Sequence, residues 1–369
     1  MDDVDPALVE YLKQPAPHML EIGAGQNGKP GWLATDLYAG VNPAGLPVIA
    51  LDACKEFPIP SDSFDFVYSE HMIEHIDFFD GQNMLAECHR VLKPGGIIRI
   101  VTPSLGFLFR VSSADRGALE ERYRQWSVRS FVPDAPSVTN AFFVNNFMRA
   151  WGHRFIYDHE TLGLSMALAG FRRLVGCDLN ASEHPPLRGL ENESRLPRGF
   201  LDLESMVLEG VKEPAPAVPG RNLSLGKPAT QSSVSPWSRG DTPEQDAGRL
   251  VSGTLTGEYN CHTALEDQPW WRVDLEAPCH IRQIRLYNRT ADRDIMRRAS
   301  RFRIQVSDDD LNWQTIFQKN TLVLFRGTRH SPFVWSAEQK ILARYVRIQL
   351  LDRQFLHLDQ VEIFGDEAV

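Results

Sequence analysis

Cysteine is scarce in this chain: five in 369 residues (Cys54, Cys88, Cys177, Cys261 and Cys279), odd in number and never in a Cys-x-x-Cys spacing. That disfavours a disulfide scaffold and a zinc ribbon, and it suits a reducing, cytoplasmic setting. No run of about 18 apolar residues occurs, so nothing reads as a membrane span. The opening Met1-Asp-Asp-Val-Asp5 is acidic where a secretory signal would be basic and then apolar. Positive charge is not in excess either, with 39 Lys+Arg against 48 Asp+Glu and a net charge of −9. A nucleic-acid binder needs a basic footprint, so a polyanionic partner is disfavoured. Repeats and low-complexity tracts are missing as well.

The length suggests two cores, at roughly 100–200 residues per domain. The segment Glu213-Pro-Ala-Pro-Ala-Val-Pro-Gly-Arg221 has three prolines and no hydrophobic periodicity, and reads as an extended linker between a domain over 1–212 and another over 222–369. Charge shifts across it. Residues 222–369 carry 19 Lys+Arg and 19 Asp+Glu, so the acidic surplus belongs to the first part. Sixteen of those 19 cations are Arg, whose planar fork suits fixed hydrogen-bonding geometry.

The first part alternates short apolar runs with helical patterns, which predicts an α/β domain with a largely parallel sheet. Met19-Leu-Glu-Ile-Gly-Ala-Gly25 reads as a strand running into a glycine turn. Gly28-Lys-Pro-Gly31 then forbids a regular helix, and the strand Trp32-Leu-Ala-Thr-Asp36-Leu37 brings Asp36 only 11 residues after Gly25. A pyrophosphate site wants a helix N-terminus after the turn and its acid about 20 residues further on. This spacing therefore disfavours a dinucleotide, whereas a nucleoside without phosphate needs no helix dipole. Pro47 to Ala53 and Ser63 to Ser69 read as two further strands, Asp80 to Leu92 as a helix with Cys88 on its core face, and Ile97 to Pro103 as the next strand.

Leu20-Glu-Ile-Gly-Ala-Gly25, Asp36, Asp52-Ala53, Ser63-Phe-Asp-Phe-Val-Tyr-Ser-Glu-His71 and Arg90-Val-Leu-Lys-Pro-Gly-Gly96 occur in that order, and together they resemble class I S-adenosylmethionine-dependent methyltransferases. In detail they are similar to enzymes found among bacterial surface-polysaccharide genes. The resemblance covers about residues 15–205 and implies a Rossmann-like fold with S-adenosylmethionine as cofactor. It implies that Glu21, Gly23 and Gly25 cradle the methionine portion, Asp36 the ribose, Asp52 and Ala53 the adenine, and that Ser69 lies near the methyl-bearing sulfur.

Methyl transfer to a hydroxyl requires alignment of the acceptor and removal of its proton, and histidine titrates near the working pH. His71 follows the fourth strand, His75 lies one helical turn on beside Glu74, and His153 stands in the segment that caps the acceptor pocket in the resembled family. These three are the candidate catalytic residues. His75 can equally tie its loop to the sheet by hydrogen bonds. The run His71-x-x-Glu74-His75 also has an inverted zinc-protease spacing, but it is short and its context is a methyltransferase, so no metal is assigned.

The second part offers many short alternating runs separated by turn residues, the pattern of an antiparallel sandwich or jelly roll. Asn222-Leu-Ser-Leu-Gly-Lys-Pro-Ala-Thr-Gln231, Cys261-His-Thr263, Pro269-Trp-Trp-Arg-Val-Asp-Leu275 and Val361-Glu-Ile-Phe-Gly365 resemble discoidin-type, galactose-binding-like domains, and in particular the F-type lectins. Those lectins use a His, 26 residues, Arg-x-Asp and, after four more, another Arg. Here His262 and Arg289 keep the spacing, Asp292 comes one residue late, and Arg297 follows it, so these four are the implied carbohydrate contacts. Ser252, Thr254 and Gln360 stand where that family has calcium ligands, and neutral side chains bind calcium weakly.

The combined expectation is a cytoplasmic methyltransferase that O-methylates a glycan acceptor (a surface polysaccharide or its precursor) held by its own C-terminal module. Two alternatives stay open. One is a small-molecule or lipid methyltransferase with a protein-interaction domain, and the other a non-enzymatic glycan-binding adaptor.

Overall fold

The computed structural model describes residues 5–25, 28–43, 45–214, 220–289, 293–321, 324–325 and 332–368. The chain divides into two compact units, Met1–Ala215 and Pro216–Val369. Residues 215–219 of the proline-rich stretch lie outside the described residues. Among the described residues no helix is long and apolar enough to cross a membrane, and all five cysteines are free.

In the first unit the strands are β1 (Met19–Ile22), β2 (Leu33–Asp36), β3 (Gly40–Val41), β4 (Pro47–Ala50), β5 (Phe64–Glu70), β6 (Leu92–Pro103), β7 (Arg172–Cys177) and β8 (Ser205–Val211). They form one sheet in the order β3-β4-β2-β1-β5-β6-β8-β7. The middle of it (β4-β2-β1-β5-β6) is parallel, and β3, β8 and β7 join antiparallel at the two edges. The helices are α1 (Pro6–Leu12), α2 (Phe78–Val91), α3 (Leu105–Ser112), α4 (Ala118–Phe131), α5 (Asn140–Arg149), α6 (His159–Ala169) and α7 (Phe200–Glu204). Leu20, Phe64, Val67, Ile98 and Ile100 are buried from the strands, and Met84, Leu85, Cys88 and Val91 of α2 pack on them, the face the helical spacing predicts. A second core joins α3, α4 and α5 through Phe107, Tyr123, Phe143 and Phe147.

One charged residue sits in the middle of this sheet. Arg99 of β6 is fully buried, and its guanidinium meets Glu191 and Glu209, each at 2.7 Å. An unpaired charge there would be prohibitive, and the two carboxylates remove that cost.

The second unit is all-β and every strand pairing in it is antiparallel. Its elements are β9 (Arg221–Asn222), β10 (Ala229–Gln231), α8 (Pro243–Gly248), β11 (Cys261–His262), β12 (Glu266–Asp267), β13 (Trp270–Tyr287), α9 (Arg293–Met296), β14 (Phe302–Ser307), β15 (Gln314–Lys319), β16 (Phe333–Leu350), β17 (Arg353–Gln354), β18 (His357–Leu358) and β19 (Gln360–Glu367). The main sheet runs β15-β14-β16-β13-β19-β9, with β10 also on β13. Bulges between Asp274 and Cys279 and between Ile281 and Gln283 bend the long strand β13. Trp271, Val273 and Leu275 alternate into the core, and the Trp271 indole N–H donates to the Ala247 carbonyl. Asp274 faces outward and is held by both arms of Arg344.

Candidate functional site

In an open parallel sheet the strand order reverses at one point, and the crevice beyond the carboxyl ends there is where ligands bind. Here that point lies between β1 and β5. β1 delivers Gly23 and Gly25, both in the left-handed region at φ +71° and +54°, and β5 delivers Ser69. A Cβ on Gly23 would collide with Met72, whereas one on Gly25 would meet nothing within 4 Å. Asp36 closes β2. Its Oδ2 accepts the Gly25 N–H and its Oδ1 the Leu37 N–H, both at 2.8 Å. Asp52 follows β4, accepting the Cys54 N–H and pairing with Lys55 at 3.1 Å, and Ala53 is buried beside it.

Glu21 lies on β1 just before the glycine turn, as the resemblance implies, and it has a partner of its own. It is buried, and Lys29 engages both its oxygens, through Nζ at 2.6 Å and through its backbone N–H at 3.2 Å. Burial raises its pKa although Lys29 opposes the rise. Lys29, which no sequence signal had singled out, takes one lone pair of each Glu21 oxygen and leaves the other.

The residues present fit S-adenosylmethionine as a phosphate-free nucleoside. Among the described residues Ser69 Oγ is buried with no hydrogen-bond partner and nothing fills the space over Gly25, and each Asp36 oxygen keeps a lone pair beyond the N–H it accepts. Among the described residues no helix begins at the glycine turn to receive a diphosphate, and the next α-helix is α2.

Past β5, His71 takes up φ +47°, an uncommon conformation for a residue with a Cβ, while its N–H donates to the Val101 carbonyl. Its Nε2 lies 2.9 Å from Ser205 Oγ, and its Nδ1 lies 3.5 Å from Glu74 and 3.9 Å from Glu204. Burial holds the His71 imidazole well below the usual histidine range. Burial also pushes the Glu74 carboxyl up to about 8 and that of Glu204 up to about 7. Thr102 donates to Glu74 Oε2 at 3.1 Å and the Tyr123 hydroxyl donates to Glu204.

His75 and His153 complete the group. The backbone N–H groups of Arg154 and Phe155 donate to the Glu74 carbonyl, and this brings the 153–155 segment against the short 3-10 turn Ile73–His75. The His75 and His153 rings meet edge to face with centroids 5.1 Å apart. All three histidines expected from the sequence are thus brought together around Glu74. Glu204, Ser205 and Tyr123 were not anticipated. They come from α7, β8 and α4, and nothing local in their sequence marks them.

In the second unit His262 is buried, and its Nδ1 lies between Ser235 Oγ at 3.0 Å and the Thr263 carbonyl at 2.9 Å. Around its ring stand Trp237, Tyr259, Phe355 and His357, with centroids 5.3–5.7 Å away. Arg289 lies over the Tyr259 ring at 5.1 Å, and Arg298 over the Phe355 ring at 5.2 Å. Arg298, the neighbour of the expected Arg297, is the arginine whose charge joins that of Arg289 in depressing His262, after burial. Arg297 is half-buried with its Nε away from solvent, and Asp292 lies outside the described residues. Of the expected contacts, His262 and Arg289 stand at this cluster, with Arg298 beside them.

Residues 16–100 match the family model for a methyltransferase domain, and residues 228–357 match that for an F5/8 type C domain. A probable S-adenosylmethionine-dependent methyltransferase of Mycolicibacterium smegmatis is 41% identical over 49 residues, 13% of this chain and 18% of that protein's length. Among solved structures, a Streptococcus pneumoniae fucose binding module is 27% identical, covering 40% of this chain and 96% of its own at a TM-score of 0.32. The lectin domain of lectinolysin complexed with Lewis B antigen is 26% identical, covering 40% and 99% at 0.32. The chain joins an N-terminal Rossmann-like α/β domain of the methyltransferase kind to a C-terminal antiparallel sandwich of the F5/8 type C, galactose-binding-like kind.

Proposed function

We propose that this protein is an S-adenosylmethionine-dependent methyltransferase that O-methylates a glycan, with residues 1–212 as catalytic domain, 213–221 as linker and 222–369 as the module that holds the polymer. The observation that carries the reading is His71, at the end of β5, with its Nδ1 facing two buried carboxylates. S-adenosylmethionine, when bound, supplies an electrophilic methyl group on a sulfonium. Glu21, Gly23, Gly25, Asp36, Asp52, Ala53 and Ser69 would hold it. His71 takes the proton given up by the acceptor hydroxyl, and the imidazolium that forms draws the Glu74 and Glu204 carboxyls, which burial raises to about 8 and about 7, toward the ionised form that stabilises it. Burial keeps His71 neutral beforehand, the state a proton acceptor needs.

For the second domain, His262, Arg289 and Arg298 offer N–H donors beside Trp237, Tyr259 and Phe355. A sugar presents hydroxyl acceptors on its edges and C–H groups on its faces, and this mixture of donors and aromatic surfaces suits both. A millimolar lectin would still matter, because tethering provides an effective acceptor concentration of roughly that order. Free cysteines throughout agree with a cytoplasmic site of action on a surface-polysaccharide precursor.

The test is a set of three measurements on the full chain: calorimetry with S-adenosylmethionine, a glycan array, and methyl transfer to the glycans the array selects. The reading expects cofactor binding, array signals lost in His262→Ala, and transfer lost in His71→Ala with cofactor binding kept. A chain that binds glycans without binding S-adenosylmethionine would be the adaptor. One that binds the cofactor but no glycan would be the small-molecule or lipid enzyme.

A further inference from the structure

The geometry points to a site for a first-row divalent transition-metal ion, with Glu74, His75 and His153 as its protein ligands. One ligand atom from each lies within 4.8 Å of the other two, and the His75 Nε2 to Glu74 Oε1 distance is 3.8 Å. Tetrahedral zinc with bonds of about 2.0–2.1 Å separates its ligand atoms by about 3.3 Å, so modest side-chain movement closes the set.

Three features make this more than a coincidence of polar groups. Glu74 is fully buried, yet its Oε1 accepts no hydrogen bond, although the other oxygen takes the Thr102 hydroxyl. His153 Nδ1 is bonded to the Phe147 carbonyl at 2.7 Å, which places the proton on Nδ1 and leaves Nε2 as the lone-pair nitrogen. His75 turns its Nε2 to Glu74, and its Nδ1 side faces the backbone of Trp151 and Gly152. Metal-binding imidazoles are oriented in this way, one nitrogen on a backbone carbonyl and the other on the ion. The 150–152 turn that His75 faces contains two consecutive left-handed residues, Trp151 at φ +56° and Gly152 at +80°. A bulky residue holds that conformation at a cost, and the return here is the approach of His153 to His75.

The donor set selects the ion. Two imidazoles and one carboxylate suit zinc, iron, cobalt or nickel, whereas magnesium and calcium prefer oxygen alone. Three protein ligands leave open positions for water or a substrate oxygen. The spacing His71-x-x-Glu74-His75 alone does not reveal this, because the third ligand comes from a distant segment. Metal binding needs no acceptor, so the inference does not rest on the glycan reading; the two share Glu74 Oε1, which also faces His71 Nδ1 at 3.5 Å, so with the ion bound Glu204 is the carboxyl left to His71.

The test uses the full chain after chelator treatment, titrated with Zn²⁺ by calorimetry and with Co²⁺ by visible spectroscopy, while Mg²⁺ is present in excess. The expected result is one equivalent of each ion, d–d bands for Co²⁺, and a melting temperature for the N-terminal transition that rises with Zn²⁺. His75→Ala and His153→Ala should each weaken binding at least 10-fold, and the conservative His153→Gln should do so while keeping the metal-free melting temperature. His262→Ala should bind as the parent does. No stoichiometric binding, binding that survives both histidine substitutions, or displacement by Mg²⁺ would each overturn the assignment.

Discussion

Asp36 Oδ2 accepts the backbone N–H of Gly25 at 2.8 Å, so the acid that ends β2 also fastens the glycine turn that ends β1. One carboxylate therefore shapes the pocket and, on the proposed function, holds the ribose. Asp36→Asn keeps an acceptor oxygen for the turn but loses the charge. A hydrogen bond to a charged group contributes about 1.5–3 kcal/mol, so affinity for S-adenosylmethionine should fall about 10- to 100-fold, and the melting temperature should fall as well because one amide oxygen cannot accept both the Gly25 and the Leu37 N–H. Calorimetry decides it, and an unchanged Kd would remove Asp36 from the cofactor site.

Two glycines of the same turn should respond in opposite ways. Gly23→Ala puts a Cβ 2.3 Å from the Met72 side chain at φ +71°. It should destabilise the N-terminal unit by about 1–3 kcal/mol, read as a lower melting temperature. Gly25→Ala meets open space at φ +54°, so its cost is limited to about 1 kcal/mol of left-handed strain. Its new methyl group stands where a ligand would approach, so cofactor binding should suffer more than folding does. If Gly25→Ala binds S-adenosylmethionine as the parent does, the open space over the turn is not the cofactor's.

The parallel sheet, the glycine turn and the acid after it are legible in the sequence because each is a local pattern of apolar runs and small residues. The carboxylate cluster is legible only in part. Glu74 lies next to His75 in the chain and is visible there, but Glu204 and Tyr123 reach the same place from α7 and α4, and only the fold brings them in. Lys29 looks like a loop cation until its Nζ is found on Glu21. Arg297 and Arg298 differ for a geometric reason. They begin the tight turn Arg297–Ala299, where successive side chains point about 120° apart, so the residue that the spacing marks and the one whose charge acts on His262 are neighbours in the chain with side chains in different directions.

Burial lowers the pKa of His357 to about 3, with the charges of His262, Arg289 and Arg298 acting in the same direction. The unfolded chain takes up this proton near pH 6.5, while the folded chain refuses it until about pH 3. Its contribution to stability is therefore complete above about pH 6.5 and is lost as the pH falls toward 3, to the extent of a few kcal/mol, roughly. Calorimetry of the C-terminal transition between pH 7 and 4 should show His357→Phe losing less stability on acidification than the parent. Equal slopes for the two proteins would mean that His357 is not the group that resists protonation.

The last prediction separates two adjacent arginines. Arg298 lies over Phe355, and both His262 and His357 sense its charge. Arg289 and Arg297 alike have their Nε turned away from solvent, so burial does not separate them; the arginine charges that act on His262 and His357 are those of Arg289 and Arg298. On the proposed function, a sugar at His262 would accept hydrogen bonds from Arg289 and Arg298. Losing such a charged donor costs about 1.5–3 kcal/mol, so Arg298→Ala should weaken binding to the array-selected glycan about 10- to 100-fold, as should Arg289→Ala. Arg297→Ala should bind within about threefold of the parent, a change too small for a lost charged hydrogen bond. Calorimetry with that glycan ranks the three variants. If Arg297→Ala abolished binding while Arg298→Ala retained it, the spacing would be the better guide, and the cluster around Phe355 would be a packing arrangement with no part in recognition.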